Sequence, residues 1–272
     1  MTSMTSAAVS SRNAYIKYLR KTARALFPVF KEKGQPLADV TEKLTLQFNH
    51  ELQERLQNIG ISVLPAGVLE PWASGVIAYC VGTSTNQLRW FRLANRGFVV
   101  RGRLGSETST FDASGDVVET QPYHHVSPEA VERALDRFRG HFFQDVPPPP
   151  DGGRASPVAP IQRPVVCHAI ACAQLDLPDF SLEIESGPGF SPRVFVRDLG
   201  RALGSRACLT SLEQVRQGPF TLEHALPSYR WSWEEASATS RKLADLWGPC
   251  IAQVRQEMEH QRALFEGRAR YY

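Results

Sequence analysis

The sequence predicts an α+β protein. It reads as an N-terminal helical hairpin, an antiparallel β-meander with a closing helix, a Pro-rich linker, and a smaller α/β C-terminal part ending in helices. Three observations predict this. Apolar residues recur every three or four positions up to Leu56 and then give way, from Ile61, to short β-branched and aromatic runs. Four consecutive prolines, Pro147, Pro148, Pro149 and Pro150, interrupt the chain. Helical spacing returns after Ser232.

Taken in order, Ser10 or Ser11 caps a first helix reaching about Phe30, with Tyr15, Ile16, Leu19, Ala23, Leu26 and Phe27 at helical spacing. Pro28 ends or kinks it. A second helix runs from Leu37 to about Asn58, carrying Val40, Leu44, Phe48 and Leu52 inward, and Gly60 stops it. Strands are predicted over 61–64, 75–81, 87–94, 97–104 and 107–111, with turns at Asn95-Arg96-Gly97 and at 112–116. Ser127-Pro128-Glu129 supplies a cap, a proline at the first helical position and a first-turn acid, opening a helix to about Phe143.

The proline run and the polar residues after it favour extended backbone. They divide the chain into a domain over 1–146, a linker or loop over 147–164, and a mixed domain over 165–272. Beyond the break, 165–175 reads as a buried strand or a short helix. Segments 180–186 and 193–199 read as paired strands, and 210–217 as a short helix. Ser232-Trp233-Glu234-Glu235 resembles a capping box for a helix to about Leu246, with Gly248-Pro249 interrupting the helical pattern that follows.

With 42% apolar and 22% charged residues the composition is globular. No run of eighteen apolar residues occurs, and the first residues lack the basic and apolar regions of a secretory leader. Five scattered cysteines do not form a disulfide framework, so reduced thiols and a cytoplasmic location are expected. The net charge of +3 is small, but it is concentrated. Residues 12–33 hold seven basic side chains against Glu32, and residues 86–105 hold five arginines and no acid.

The second basic stretch, LRWFRLANRGFVVRGRL, supplies the candidate site. Read as a strand pair, Arg89, Arg92, Arg96, Arg101 and Arg103 neutralise phosphates while Trp90 and Phe98 stack on unpaired bases. Lys17, Arg20, Lys21 and Arg24 extend the surface. Cys167-His168-x3-Cys172 has metal-ligand residue types in a spacing that fits zinc poorly, so no metal and no cofactor are expected. Glu183 and Glu185, or His124 and His125, are the residues an enzyme would use. No P-loop, GxGxxG, GxSxG or HExxH pattern occurs, so the sequence alone does not decide whether the chain is an enzyme.

The reading is therefore a non-enzymatic component of an intracellular complex, binding RNA or single-stranded DNA and other protein subunits, with no membrane partner. The alternatives are a protein-interaction adaptor, and a small transferase or hydrolase.

Overall fold

The computed structural model describes residues 23–52, 60–147 and 161–268, with side chains up to residue 259. The protein is α+β, as its sequence predicts, with helices against a mixed sheet. Two compact units divide it. The first takes the described residues up to Pro71, then Val76–Ala94 and everything from Gln217 onward; the second takes Trp72–Gly75 and Asn95–Arg216.

In the first unit, β1 (Ala25–Lys31) lies beside β3 (Ser74–Val81), which also pairs antiparallel with β2 (Val63–Pro65). The helix predicted up to Phe30 is thus strand β1 over its described length. Pro28 is tolerated there because the amides of Leu26 and Phe30, on the same side, bond Ser240 Oγ at 2.9 Å and Leu226 O at 2.9 Å outside the ladder. No helical hairpin forms among the described residues. Helix α1 (Leu37–Glu51) does form where its periodicity placed it, burying Val40, Leu44 and Phe48. Strand β3 is buried on both faces. Ile77, Tyr79 and Val81 enter one core with Phe27, Phe48 and Trp231; Val76, Ala78 and Cys80 enter another with Trp90, Phe91 and Phe220.

Residues 87–94, expected as a strand, instead form a 3₁₀ turn and the short helix α2 (Leu88–Arg92). A helical turn lets the adjacent Trp90 and Phe91 both face the core, whereas a strand would point them to opposite sides.

The second unit is built on β4 (Arg96–Leu104), whose neighbours are β9 (Asp179–Ser186) and β10 (Ala207–Gln217). From β9 the sheet continues antiparallel through β8 (Gln162–Asp176) to β7 (Gly140–Asp145). β10 pairs parallel with the start of β3, where Gly75 (φ +124°) opposes Gln214. A Cβ there would lie 2.2 Å from Gln214 O, so only glycine fits. A ribbon of β5 (Ser106–Thr108) and β6 (Val117–Thr120) carries the turn predicted at 112–116.

Helix α3 (Pro128–Asp136) starts as predicted, with Ser127 Oγ accepting the Ala130 amide at 3.3 Å, but ends early where β7 begins. Two segments differ from expectation in type. Residues 193–199 lie in helix α4 (Pro192–Ala202), and 210–217 lie in strand β10. Ser191 caps α4 and Pro192 occupies its first turn, a start signal that outweighs the β-branched residues after it. Residues 148–160, the centre of the proline-rich segment, lie outside the described residues. The strands on either side of them, β7 and β8, pair with each other and belong to the same unit. At the C-terminus, Ser232 Oγ accepts the Glu235 amide at 3.2 Å and starts helix α5 (Trp233–Lys242). Helix α6 (Ala244–Arg268) then runs through Gly248 and Pro249.

Candidate active site and RNA-binding residues

Lys17, Arg20 and Lys21 lie outside the described residues. Arg24 is exposed immediately before β1. The remaining predicted site residues do not share one sheet face. Arg89, Trp90 and Arg92 sit on α2, with Trp90 7% exposed in a core and its two arginines in solvent. On β4, Phe98 is 5% exposed and points inward. Arg96 is half-buried, and desolvation lowers its pKa. Arg101 and Arg103 share the outer face of β4, where Arg103 is clamped by Asp179 through bonds of 2.8 and 2.9 Å. On the adjoining strands Arg216 pairs with Glu185 at 2.9 Å. An acid on a neighbouring strand, remote in sequence, therefore takes up one of the charges that looked unopposed.

The enzyme candidates named from sequence are spread out. Glu183 is exposed, Glu185 is bound to Arg216, and His125 Nε2 lies 3.0 Å from Leu203 O. On β8, alternation buries Cys167 and exposes His168; burial pushes the Cys167 thiol up to about 11. Among the described residues no three His, Cys, Asp or Glu side chains gather to hold a metal, and no helix is long and apolar enough to cross a membrane.

Sequence reasoning missed two constellations. The first is on α4, which is buried on nearly every side and yet carries Arg193 and Arg197, 4% and 5% exposed. With Arg201 they form an i, i+4, i+8 row on one helix face. Arg193 Nη1 donates to Thr110 O at 2.8 Å and stands 3.7 Å from Asp112. Arg197 bonds Asp145 at 2.7 Å and Asp198 at 2.6 Å, and its guanidinium lies 4.5 Å from the Phe111 ring. Arg201 grips Glu107 with two bonds of 2.9 and 2.6 Å. Burial raises Asp198 despite Arg197; at Asp145 the Arg197 and Gln162 bonds overcome burial and hold the carboxyl below its usual range. This row fixes the loop between β5 and β6, including Phe111 at φ 65°. The signal in the sequence was the arginine spacing after Ser191-Pro192.

The second is the loop between β2 and β3 in the first unit. Ala66 N bonds Ala78 O at 2.7 Å, and Gln217 Nε2 bonds Ala66 O at 2.7 Å. At its other end, Pro71 O accepts from the buried Lys31 Nζ and from Gly34 N, each at 3.0 Å. Ala66 and Leu69 are buried, Val68 is 82% exposed, and Glu70 is half-buried between them and the Lys31 anchor. A loop pinned at both ends that presents a carboxylate is a scaffold for chemistry. Only the local composition, with no charge but Glu70 between Ile61 and Arg89, could have drawn notice to it.

Comparison with known proteins gives these features a family. Residues 62–150 match the model of the TruB family pseudouridylate synthase N-terminal domain. The chain is 32% identical over 241 residues to pseudouridylate synthase TRUB1 of Mus musculus, covering 81% of this chain and 71% of that protein. It is 30% identical over 202 residues to tRNA pseudouridine synthase B of Parabacteroides distasonis, covering 70% of this chain and 86% of that one. A solved Cbf5-Nop10-Gar1 complex contains a chain of the same fold, with TM-score 0.58 and 20% identity; the match covers 79% of this chain and 54% of that one. The expectation of a non-enzymatic binding or assembly component is thereby overturned, since these relatives are RNA-modifying enzymes. Its RNA-binding element stands. Identity of this level over most of both chains makes the protein a member of the TruB family of pseudouridylate synthases.

Proposed function

We propose that the chain isomerises a uridine in RNA, a tRNA among the candidates, to pseudouridine. The reaction breaks the bond between uracil N1 and ribose C1′, joins C5 to C1′, and moves the C5 proton, through a base and solvent, so that N1 ends protonated; nothing is oxidised or reduced and no co-reactant is consumed. It needs a group that assists glycosyl transfer and accepts a proton, and a carboxylate serves for both.

The observation that carries this reading is Glu70. Within the segment matched to the family model, it is the one carboxylate of the first unit, and it rides on the pinned loop. Glu70→Gln keeps size and removes charge. Incubated with a uridine-containing tRNA, the wild type should form pseudouridine, read by mass-neutral retention shift of the digested nucleosides. Glu70→Gln should lose at least about a hundredfold in rate, the scale of a lost acid–base group, with its thermal transition unchanged. Full activity in Glu70→Gln would reject Glu70 as the catalytic carboxylate.

A further inference from the structure

Trp90 is held where its own helix and a distant one meet. It packs with Phe91, which stacks on Phe220 at 5.5 Å and 4°, and the same core receives Ile251 and Val254 from α6. Docking of α6 through those two residues brings the next one, Arg255, to Trp90. Its guanidinium carbon lies 5.0 Å from the centre of the indole ring, and that of Arg89 lies 4.1 Å from the same centre. Both arginines are exposed, and among the described residues neither has a carboxylate partner. Arg92, one turn along α2, is exposed as well.

Several other arginines are held differently. Arg103, Arg139, Arg216 and Arg230 are each taken up by an acid, at Asp179, Asp136, Glu185 and Glu235. Arg89 and Arg255 are fixed by an aromatic ring instead. Stacking engages the flat face of a guanidinium and leaves its edge of N–H donors available for oxygen acceptors. It also restrains two long side chains before any ligand arrives, so less entropy is lost on binding. Two like charges held at one ring add to the local positive potential, which favours an anion nearby.

We propose that Arg89 and Arg255, oriented by Trp90, form a phosphodiester-binding site that anchors the RNA substrate on the first unit. The inference rests on the RNA-modifying reading above. The ring itself is not the stacking platform expected from sequence, because Trp90 is buried and attended by guanidiniums; it orients charge. The ligand is the backbone phosphate, not the base.

The test measures two things: binding of a uridine-containing tRNA by filter retention over a range of salt, and steady-state pseudouridine formation. Arg89→Gln and Arg255→Gln should each lower the slope of log affinity against log salt by about one counterion. Each should raise KM several-fold while kcat stays within about twofold. Arg89→Lys, which keeps the charge, should restore most of the slope. A slope and KM unchanged in folded Arg255→Gln and Arg89→Gln would overturn the site, as would a loss of thermal stability with no change in slope, which marks a purely structural role. If the wild type makes no pseudouridine, the proposed reaction falls, but the salt slope still decides this site.

Discussion

Asp112 shows how much a single side chain organises here. Its Oδ1 accepts from Thr110 Oγ1 at 2.9 Å, Ser114 N at 2.9 Å and Ser114 Oγ at 2.5 Å, while Oδ2 faces Arg193 at 3.7 Å. Both partners of that ion pair are nearly inaccessible to solvent. Removing one member of a buried pair leaves the other uncompensated and costs about 3–5 kcal/mol. Asp112→Ala should therefore lower the urea midpoint by that equivalent, and the double variant Asp112→Ala, Arg193→Met should recover part of it. Equal loss in the single and double variants would show that the uncompensated Arg193 charge carries no penalty. None of this was legible from sequence, because the acid and the arginine are remote in the chain and meet only through the fold. Arg103 was misjudged for the same reason: its partner Asp179 sits on a strand that the charge count of residues 86–105 could not include.

Elements were legible where periodicity and end signals agreed. Helix α1 follows its spacing of Val40, Leu44 and Phe48, and α3 and α5 start at Ser127 and Ser232. They were misread where a short apolar run fits either period: α2 is five residues long, and β10 mixes polar and apolar residues in a way that suits a helix face. Strand β3 was recognised, and its double burial has a consequence for pH. Desolvation pushes the Cys80 thiol and the Tyr79 phenol each up to about 12, the latter despite a hydrogen bond shared with Thr41. In the unfolded chain they release protons at their ordinary values of 9.0 and 10.0. The native state thus holds protons that the unfolded state has lost, so this stability is complete below pH 9 and falls as pH rises toward 12. Burial acts oppositely on Lys31, lowering it from 10.5 to about 8, so its penalty is present below pH 8 and fades by pH 10.5. Together these three groups should give stability rising from pH 8 to 9, level to about 10, and falling beyond. In Cys80→Val the urea-derived stability should fall less steeply above pH 9 than in the wild type, by up to about 1.4 kcal/mol per pH unit. Parallel curves for the two proteins would remove Cys80 as a cause.

At the scale of the whole molecule, the chain passes repeatedly between its units, so each unit is assembled from segments far apart in sequence. The sequence offered a division at 147–164, where composition changes most. Composition reports backbone preference, whereas a unit is defined by which strands bond to one another. Across that segment β7 and β8 pair from Asp145↔Gln162 to Gly140↔Cys167, and Val146 N bonds Ile161 O at 2.9 Å. β7 is further tied to α4: Gln144 bonds Ser191 N at 2.9 Å and Ser191 O at 3.2 Å, and Asp145 bonds Arg197 at 2.7 Å. A separate N-terminal piece would leave those buried groups of β7 unpaired, at about 1–3 kcal/mol for each uncharged one. Residues 217–268 would likewise lose β1 and β3, against which their side chains build both cores of the first unit. The experiment is a protease site placed between Pro150 and Asp151, cut after the full chain has folded. The two pieces should stay together through native size exclusion and separate only in denaturant, whereas residues 1–150 expressed alone should show no cooperative thermal transition. Separation of the cut pieces under native conditions, with each retaining a sharp transition, would place the boundary at the prolines after all.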